Sequence, residues 1–273
     1  MSISLGIVLI SIFIQSCSLL PANESVIYLK AGRSESSVKQ SQIAPKKNTN
    51  VPEIAKKVTV RILTEPGAGS GVIISRQGKT YTVLTCQHVV AESKKGKYNI
   101  MSADGEIHSA RLKSLPKLGD LDLALVEFDS ENSYQVVKLG NSNILSAGSS
   151  VYAAGFPNYN TIDKNTIEDT FDWGTKAFKS TEGNVSLLYT KRSLPEGYSL
   201  GYTNEVTLGM SGGPVLNDKG ELVGINGRLK YPIQGIDGFT FADGKKPSTE
   251  EFERMEALSW AIPIVKFIAL AER

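Results

Sequence analysis

The chain has 273 residues, of which 41% are hydrophobic and 21% charged, with 25 glycines and a formal net charge of +2. That length is too great for one small core and suits a leader followed by a two-lobed domain, and the composition is that of a globular chain with many turns. So small a net charge, with no basic stripe, supplies neither the field nor the footprint that nucleic acid or an acidic membrane surface requires.

Residues 3–14 are apolar except for Gly6 and the hydroxyls of Ser4 and Ser11. The run is shorter than the roughly 20 residues of a spanning helix and fits the about 7 to 15 of an export-signal core. No Lys or Arg precedes it, so only the amino terminus supplies the usual positive charge. Ile14-Gln15-Ser16-Cys17 is similar to a bacterial lipobox, which makes Cys17 a candidate for lipidation and membrane attachment, with a plain core cysteine as the alternative. Residues 1–22 are therefore expected to be a signal peptide or lipoprotein signal, directing export to the periplasm, the envelope or the medium. Residues 23–50, rich in Ser, Asn, Lys and Gln, bury too little surface to offset ordering and read as a flexible linker. Of the two cysteines, loss or lipidation of Cys17 leaves Cys86 alone, so no intrachain disulfide is expected and the fold must rest on its core.

Residues 51–273 read as the folded domain, with one lobe over about 51–135 and a second over about 136–273. Short β-patterned runs at 58–63, 69–75 and 79–85 open it, the last two joined through Arg76-Gln77-Gly78 as a hairpin. Further strands are expected at 97–102, 106–115, 121–128, 150–155, 182–190, 201–206, 214–217 and 221–226. So many closely spaced strands with little helix between them argue for all-β barrels rather than a parallel α/β sheet. Between them, residues 158–181 read as a long polar loop whose Phe171, Trp173 and Phe178 anchor it or shape a binding site. Ser248-Thr249-Glu250-Glu251 has the form of a capping box and opens a helix to about residue 258. Residues 260–263 look extended, and 264–271 have the composition of a C-terminal helix.

Three segments carry chemistry. Tyr81-Thr82-Val83-Leu84-Thr85-Cys86-Gln87-His88-Val89-Val90 is a strand running into a turn with a histidine; Gly119-Asp120-Leu121-Asp122-Leu123-Ala124-Leu125-Val126 sets an acid before an apolar strand; Gly209-Met210-Ser211-Gly212-Gly213-Pro214-Val215 surrounds a serine with glycines. In this order and at these separations they resemble the T-A-x-H-V, D-[IL]-A-L and G-[DN]-S-G-G-P motifs of trypsin-like serine peptidases. The resemblance covers nearly all of the chain beyond the linker. It extends to the catalytic part of the HtrA proteases, with a stand-alone bacterial peptidase lacking a PDZ domain as the expectation.

The resemblance implies two six-stranded antiparallel β-barrels of trypsin-like type, with a short helix and a C-terminal helix. It also implies a catalytic triad of His88, Asp122 and Ser211. An unaided serine hydroxyl is a poor nucleophile, so a neutral imidazole must take its proton, and a buried carboxylate must orient that ring. Asp120 is the rival acid, but Asp122 directly precedes the Leu-Ala-Leu-Val strand. The N–H groups of Gly209 and Ser211 are expected to form the oxyanion hole. Cys86 reads as a small buried hydrophobe beneath the histidine rather than a nucleophile, and His108 as an exposed barrel residue. Gly209-Met210-Ser211-Gly212-Gly213 also satisfies the G-x-S-x-G of an α/β-hydrolase, but that fold places its histidine after the serine and none follows Ser211.

Met210 stands where animal trypsins carry the aspartate that pairs with a newly cut N-terminal ammonium, so a site formed without propeptide cleavage is expected. Glu205, six residues before Ser211, falls where the floor of the primary pocket lies if no gap intervenes, and would favour Lys or Arg; a solvated strand-end glutamate is the alternative. Asn226 stands where glutamate-specific relatives carry a histidine, and Gly227 is expected in the pocket wall, its backbone pairing with substrate. No metal or cofactor is implied, and the partners are protein or peptide substrates. An inactive barrel used as an envelope binding module is the competing function.

Overall fold

The computed structural model describes residues 50–64, 67–91, 93, 98–113 and 118–272. The expected export signal, Cys17 and all of the linker but Asn50 lie outside the described residues. The described residues fall within one compact unit, Lys47–Arg273.

A helix α1 (Val51–Val58) leads into β1 (Thr59–Leu63), β2 (Ala68–Gln77) and β3 (Thr80–Thr85), followed by a single turn of helix α2 (Gln87–Ala91) and then β4 (Tyr98–Met101), β5 (Ile107–Leu112) and β6 (Ala124–Asp129). These six strands close antiparallel in the order β1-β2-β3-β6-β5-β4. After β7 (Ser150–Gly155) a hairpin of β8 (Tyr159–Thr161) and β9 (Ile167–Asp169) leaves the second barrel. The chain returns through β10 (Lys179–Leu188), β11 (Leu200–Tyr202), β12 (Pro214–Asn217), β13 (Leu222–Arg228) and β14 (Ser259–Pro263). This barrel closes in the order β10-β11-β14-β13-β12-β7. Helix α3 (Thr249–Glu256) lies within the β13–β14 connection, and α4 (Ile264–Ala271) ends the fold. The expected pair of six-stranded antiparallel barrels is thus the observed architecture.

The period-2 alternation of each strand divides its side chains between two environments. Ile73 and Val83 fill the first barrel with Val60, Ile62, Ile100, Val126 and Phe128. Their neighbours Val72 and Leu84 point the other way, into a cluster shared with Leu216, Ile225, Trp260 and Ile262 of the second lobe. The second barrel is filled by Val151, Ala153, Val185, Leu200, Tyr202, Val215, Val223 and Ala261. The shared cluster joins the lobes along the face where the chemistry-bearing turns lie.

Several expectations are corrected. Residues 51–58 form an unforeseen helix, capped by the Asn50 side chain, which accepts from Glu53 N–H at 3.3 Å, and it buries Val51, Ala55 and Val58 in the shared cluster. The segment 158–181 is not one loop: it contains the β8–β9 hairpin, a 3₁₀ segment Phe171–Ala177 and the start of β10. Trp173 and Phe178 pack with Phe156, whereas Phe171 is exposed and lies under the Arg61 guanidinium. Arg61, buried in β1, hooks this segment to the first barrel by donating to the Thr170 carbonyl at 2.9 Å. His108 is not simply exposed, since its ring stacks on Phe128 with centroids 4.9 Å apart and meets the Tyr134 hydroxyl at 3.0 Å. Only half of the capping box forms. Ser248 Oγ accepts from Glu251 N–H at 3.2 Å, but the Glu251 carboxylate is taken by the Tyr189 hydroxyl and by Arg192 rather than by the N-cap.

Trp260 anchors the long β13–β14 connection. It is fully buried, donates Nε1–H to the Met255 carbonyl at 3.2 Å and packs against Tyr189 and Phe239. Truncating it to Ala removes a large side chain from a site walled by fixed strands, so Trp260→Ala is expected to cost about 3–5 kcal/mol in a urea unfolding titration.

Candidate active site

The end of β3 delivers Cys86 and then α2, on which His88 sits. Asp122 occupies the turn before β6, which starts at Ala124 rather than at the expected residue 121. His88 grips Asp122 twice: its backbone N–H donates to Oδ1 at 2.8 Å, and its Nδ1 lies 2.6 Å from Oδ2. The Tyr198 hydroxyl donates to the same Oδ2 at 2.5 Å. Burial works against ionisation of Asp122, but the hydrogen bonds and charge of His88, together with Tyr198, outweigh it and hold the carboxyl below the usual aspartate range. Asp120, the rival acid, is exposed in the turn.

The serine turn follows β11, which ends at Tyr202 because the chain leaves the barrel there. Gly212 has φ +84°, and a Cβ on it would meet the Ser70 carbonyl and Thr85 Oγ1, each at 2.2 Å. Only glycine allows this approach, which brings the serine turn against the two strands of the first lobe that lead to His88. Ser70 organises the junction. Its N–H donates to the Ser211 carbonyl at 2.8 Å, its Oγ donates to the Gly209 carbonyl at 2.8 Å and accepts from Phe156 N–H at 2.8 Å, and its own carbonyl accepts from Thr85 Oγ1 at 2.7 Å.

The remaining carbonyls of the turn are also held. Asn158 N–H donates to Leu208 at 2.8 Å and Gly213 N–H donates to Met210 at 3.0 Å. A trans peptide sets its N–H opposite its C=O, so fixing the carbonyls of Leu208 and Met210 fixes the directions of the N–H groups of Gly209 and Ser211. The N–H groups of Met210, Gly212 and Gly213 are spent on Thr207, Asn226 and Met210 carbonyls, whereas those of Gly209 and Ser211 have no acceptor among the described residues. Ser211 Oγ lies 3.5 Å from the Gly227 carbonyl.

The other expected site residues are placed as follows. Gly227, at the end of β13, presents its carbonyl toward Ser211. Asn226 is fully buried, accepts from Tyr202 OH and donates to the Ala154 carbonyl at 3.2 Å, so its side chain braces the second barrel instead of facing a ligand. Glu205 has an exposed side chain paired with Lys230 at 2.8 Å. In the structure its carboxylate is held by that lysine rather than standing alone. Glu205 and Lys230 line one side of a cavity of about 420 Å³ whose other walls include Val206, Leu208, Leu229 and the hairpin residues Tyr159 and Ile167.

Cys86 is buried, as expected, and donates Sγ–H to the Asn226 carbonyl at 3.0 Å. Burial and then the Asp122 charge push its thiol well above the ordinary range, which removes it as a nucleophile. The donor atoms of Cys86, His88 and Asp122 lie within 4.8 Å of one another. A thiol kept protonated beside a carboxylate already shared by three donors does not fit a metal, whose ligands must be deprotonated and free.

Three residues that the motifs leave unmarked matter here: Ser70, Tyr198 and Lys230. The signal for Ser70 was a strand serine between Gly69 and Gly71, a pattern of close backbone approach. Nothing in the local sequence distinguishes Tyr198 or Lys230.

Two closed barrels, a histidine–aspartate pair at the edge of the first and a glycine-framed serine turn from the second define a trypsin-like architecture. The family model described as trypsin-like peptidase domain matches residues 69–225, more than half of the chain, and the chain belongs to that family. It is 29% identical over 199 residues to the serine protease Do-like HtrA of Bacillus subtilis (strain 168), covering 69% of this chain and 40% of that protein. It is 35% identical over 177 residues to a probable periplasmic serine endoprotease DegP-like of Pseudomonas fulva (strain 12-X), covering 64% of this chain and 32% of that protein. The chain thus spans well under half the length of these relatives. A solved structure of the HtrA-type protease AlgW with tripeptide shares the fold at TM-score 0.57 and 22% identity, over 82% of this chain and 62% of that one.

Ser70→Ala leaves the Gly209 carbonyl and the Phe156 N–H without partners in a buried junction. A loss of about 2 to 4 kcal/mol is expected in equilibrium unfolding, more than an isolated hydroxyl deletion on a strand surface would cost.

Proposed function

We propose that this chain is a serine endopeptidase that hydrolyses peptide bonds through His88, Asp122 and Ser211. The observation that carries it is the doubly bonded His88–Asp122 pair, set beside a serine turn whose Gly209 and Ser211 N–H groups are fixed in direction and uncommitted. In this reaction Asp122 holds the Nδ1–H tautomer, so that Nε2 takes the proton of Ser211 as Oγ attacks the scissile carbonyl. The oxyanion that forms is met by the N–H groups of Gly209 and Ser211, in a setting that needs no reorganisation when the charge develops. The imidazolium then protonates the leaving amine, and water repeats the sequence to free the acid.

Met210 is fully buried among apolar side chains of the second barrel, so no carboxylate waits there for a new N-terminus. Ser70 and Asn158 do the holding instead, and the site is formed without a propeptide cut. With Glu205 paired to Lys230, an apolar side chain before the scissile bond is the reading favoured by Val206, Leu208 and Leu229 in the cavity that those two residues line. Among the described residues no helix is long and apolar enough to cross a membrane. Export, with lipidation at Cys17 as the attachment to the envelope, remains the proposal of the sequence.

A fluorophosphonate probe is expected to label the wild-type protein and not Ser211→Ala, and that substitution is expected to lower kcat on the order of 10⁵-fold. A peptide library should return cleavage after apolar residues. Equal labelling of both proteins, or none of either, would instead favour a barrel that binds without cutting.

A further inference from the structure

We propose that Tyr198 is the positioning residue for Asp122, and that Gly227 is a glycine because the Tyr198 ring occupies the place of its side chain. The inference rests on the peptidase reading above and specifies how its acid is held.

Tyr198 is buried, with 1% of its surface exposed, and its hydroxyl donates to Asp122 Oδ2 at 2.5 Å. A Cβ at residue 227 would lie 1.9 Å from that hydroxyl oxygen and 2.5 Å from two ring carbons. Gly227 lies within β13 and is not among the residues of positive φ, so its backbone would accept any side chain; the ring alone excludes one. The segment that carries Tyr198 grips Asp122 a second time, because the Glu196 carbonyl accepts Asp122 N–H at 3.0 Å. Glu196 holds that position at φ +63°, a left-handed conformation that is unfavourable for a non-glycine residue and is kept only where its surroundings require it. Lys266 of α4 braces the same segment by donating to the Gly197 carbonyl at 2.8 Å.

The chemistry follows from donor identity. Asp122 receives three bonds: the His88 N–H at Oδ1, with Nδ1–H and the phenol sharing Oδ2. Burial, with the Asp122 charge beside it, pushes the Tyr198 phenol well up, so it stays a donor at any working pH. Sharing Oδ2 with that donor fixes the carboxylate rotamer and limits how strongly the carboxylate retains a proton on the imidazole. Among the described residues, other charged or titratable groups facing the pair include Cys86, Glu196, Arg228, whose guanidinium lies 4.9 Å over the Tyr198 ring, and Lys266.

Tyr198→Phe removes the oxygen and keeps the ring. We expect kcat to fall about tenfold with KM nearly unchanged, the size of one lost charge-assisted bond. The His88 ring, followed by NMR with His108→Gln to assign the two histidines, is expected to titrate at higher pH than in the wild type, since Oδ2 is left wholly to Nδ1–H. In a Tyr198→Ala background, Gly227→Ser can supply a hydroxyl from the vacated side and should recover part of the lost kcat. A folded Tyr198→Phe protein with unchanged kcat and unchanged His88 titration would overturn the proposal. If the wild type takes no fluorophosphonate, the peptidase reading fails by itself, and the His88 titration still decides the role of Tyr198. Should Tyr198→Ala not fold, the Phe variant alone decides it.

Discussion

The molecule turns on the contact between β2 of the first lobe and the serine turn of the second, where Ser70 bonds to Ser211, Gly209, Phe156 and Thr85 at once. Apolar burial holds the lobes together, but it is non-directional and would tolerate sliding of one lobe over the other. Three bonds at 2.8 Å from one small residue, to Ser211, Gly209 and Phe156, do not tolerate it, because each displaced donor or acceptor would be left buried and unpaired. The absence of a side chain at residue 212 is the steric condition for this contact, since a Cβ there would fall on the Ser70 carbonyl and on Thr85 Oγ1. The position of the serine relative to the histidine is thereby set by backbone, through residues that are not themselves part of the proposed chemistry.

The electrostatics of the site follow the same economy. Asp122 is nearly buried, an environment that by itself would keep a carboxyl protonated. It is ionised because its oxygens are met by donors from two directions, His88 on α2 and Tyr198 on the segment before β11. Cys86, at 3.7 Å from the same phenol, adds no charge to the cluster because its thiol is buried and bonded to the Asn226 carbonyl. One negative charge, shared among three donors, therefore sits under the imidazole. The charged pairs nearby lie at the surface, where Glu205–Lys230 and Glu196–Arg228 contribute little to stability and instead decide which charges a ligand meets.

Most of the barrel strands were legible as short apolar runs bounded by Gly, Asn, Asp and Pro, such as 150–155 and 214–217, which the structure reproduces as β7 and β12. The histidine, aspartate and serine segments were legible for a different reason, as turns whose residue types serve one chemistry. What the sequence did not disclose was set by tertiary contacts. Helix α1 is only eight residues long and is stabilised by burying Val51, Ala55 and Val58 against a cluster assembled from both lobes. The hairpin of β8 and β9 is exposed throughout, so its pattern carried no burial signal. Strand 201–206 was expected too long: β11 ends at Tyr202, and Asn204 turns inward to bond the Val151 and Thr181 carbonyls. Glu205 read as a free carboxylate because its partner, Lys230, is distant in the chain and joins it only once β11 and β13 have both paired with β14.

Residue 210 lets the serine turn form without a compensating cation. Where a buried carboxylate is present in such a turn, it must be compensated by a cation, and a protein can withhold that cation until it is cut. Met210 removes the need: its side chain is fully buried in the second barrel core, and an apolar packing contact requires no partner to arrive. The order of the turn then depends on bonds available as soon as the lobes fold, from Ser70 Oγ and Asn158 N–H. Asn158 belongs to the segment leading into the β8–β9 hairpin, and that segment is fastened to the first barrel through Thr170 and the buried Arg61. In the proposed peptidase, control of activity would accordingly act on this segment, since loosening Asn158 would free the Leu208 carbonyl and with it the direction of the Gly209 N–H.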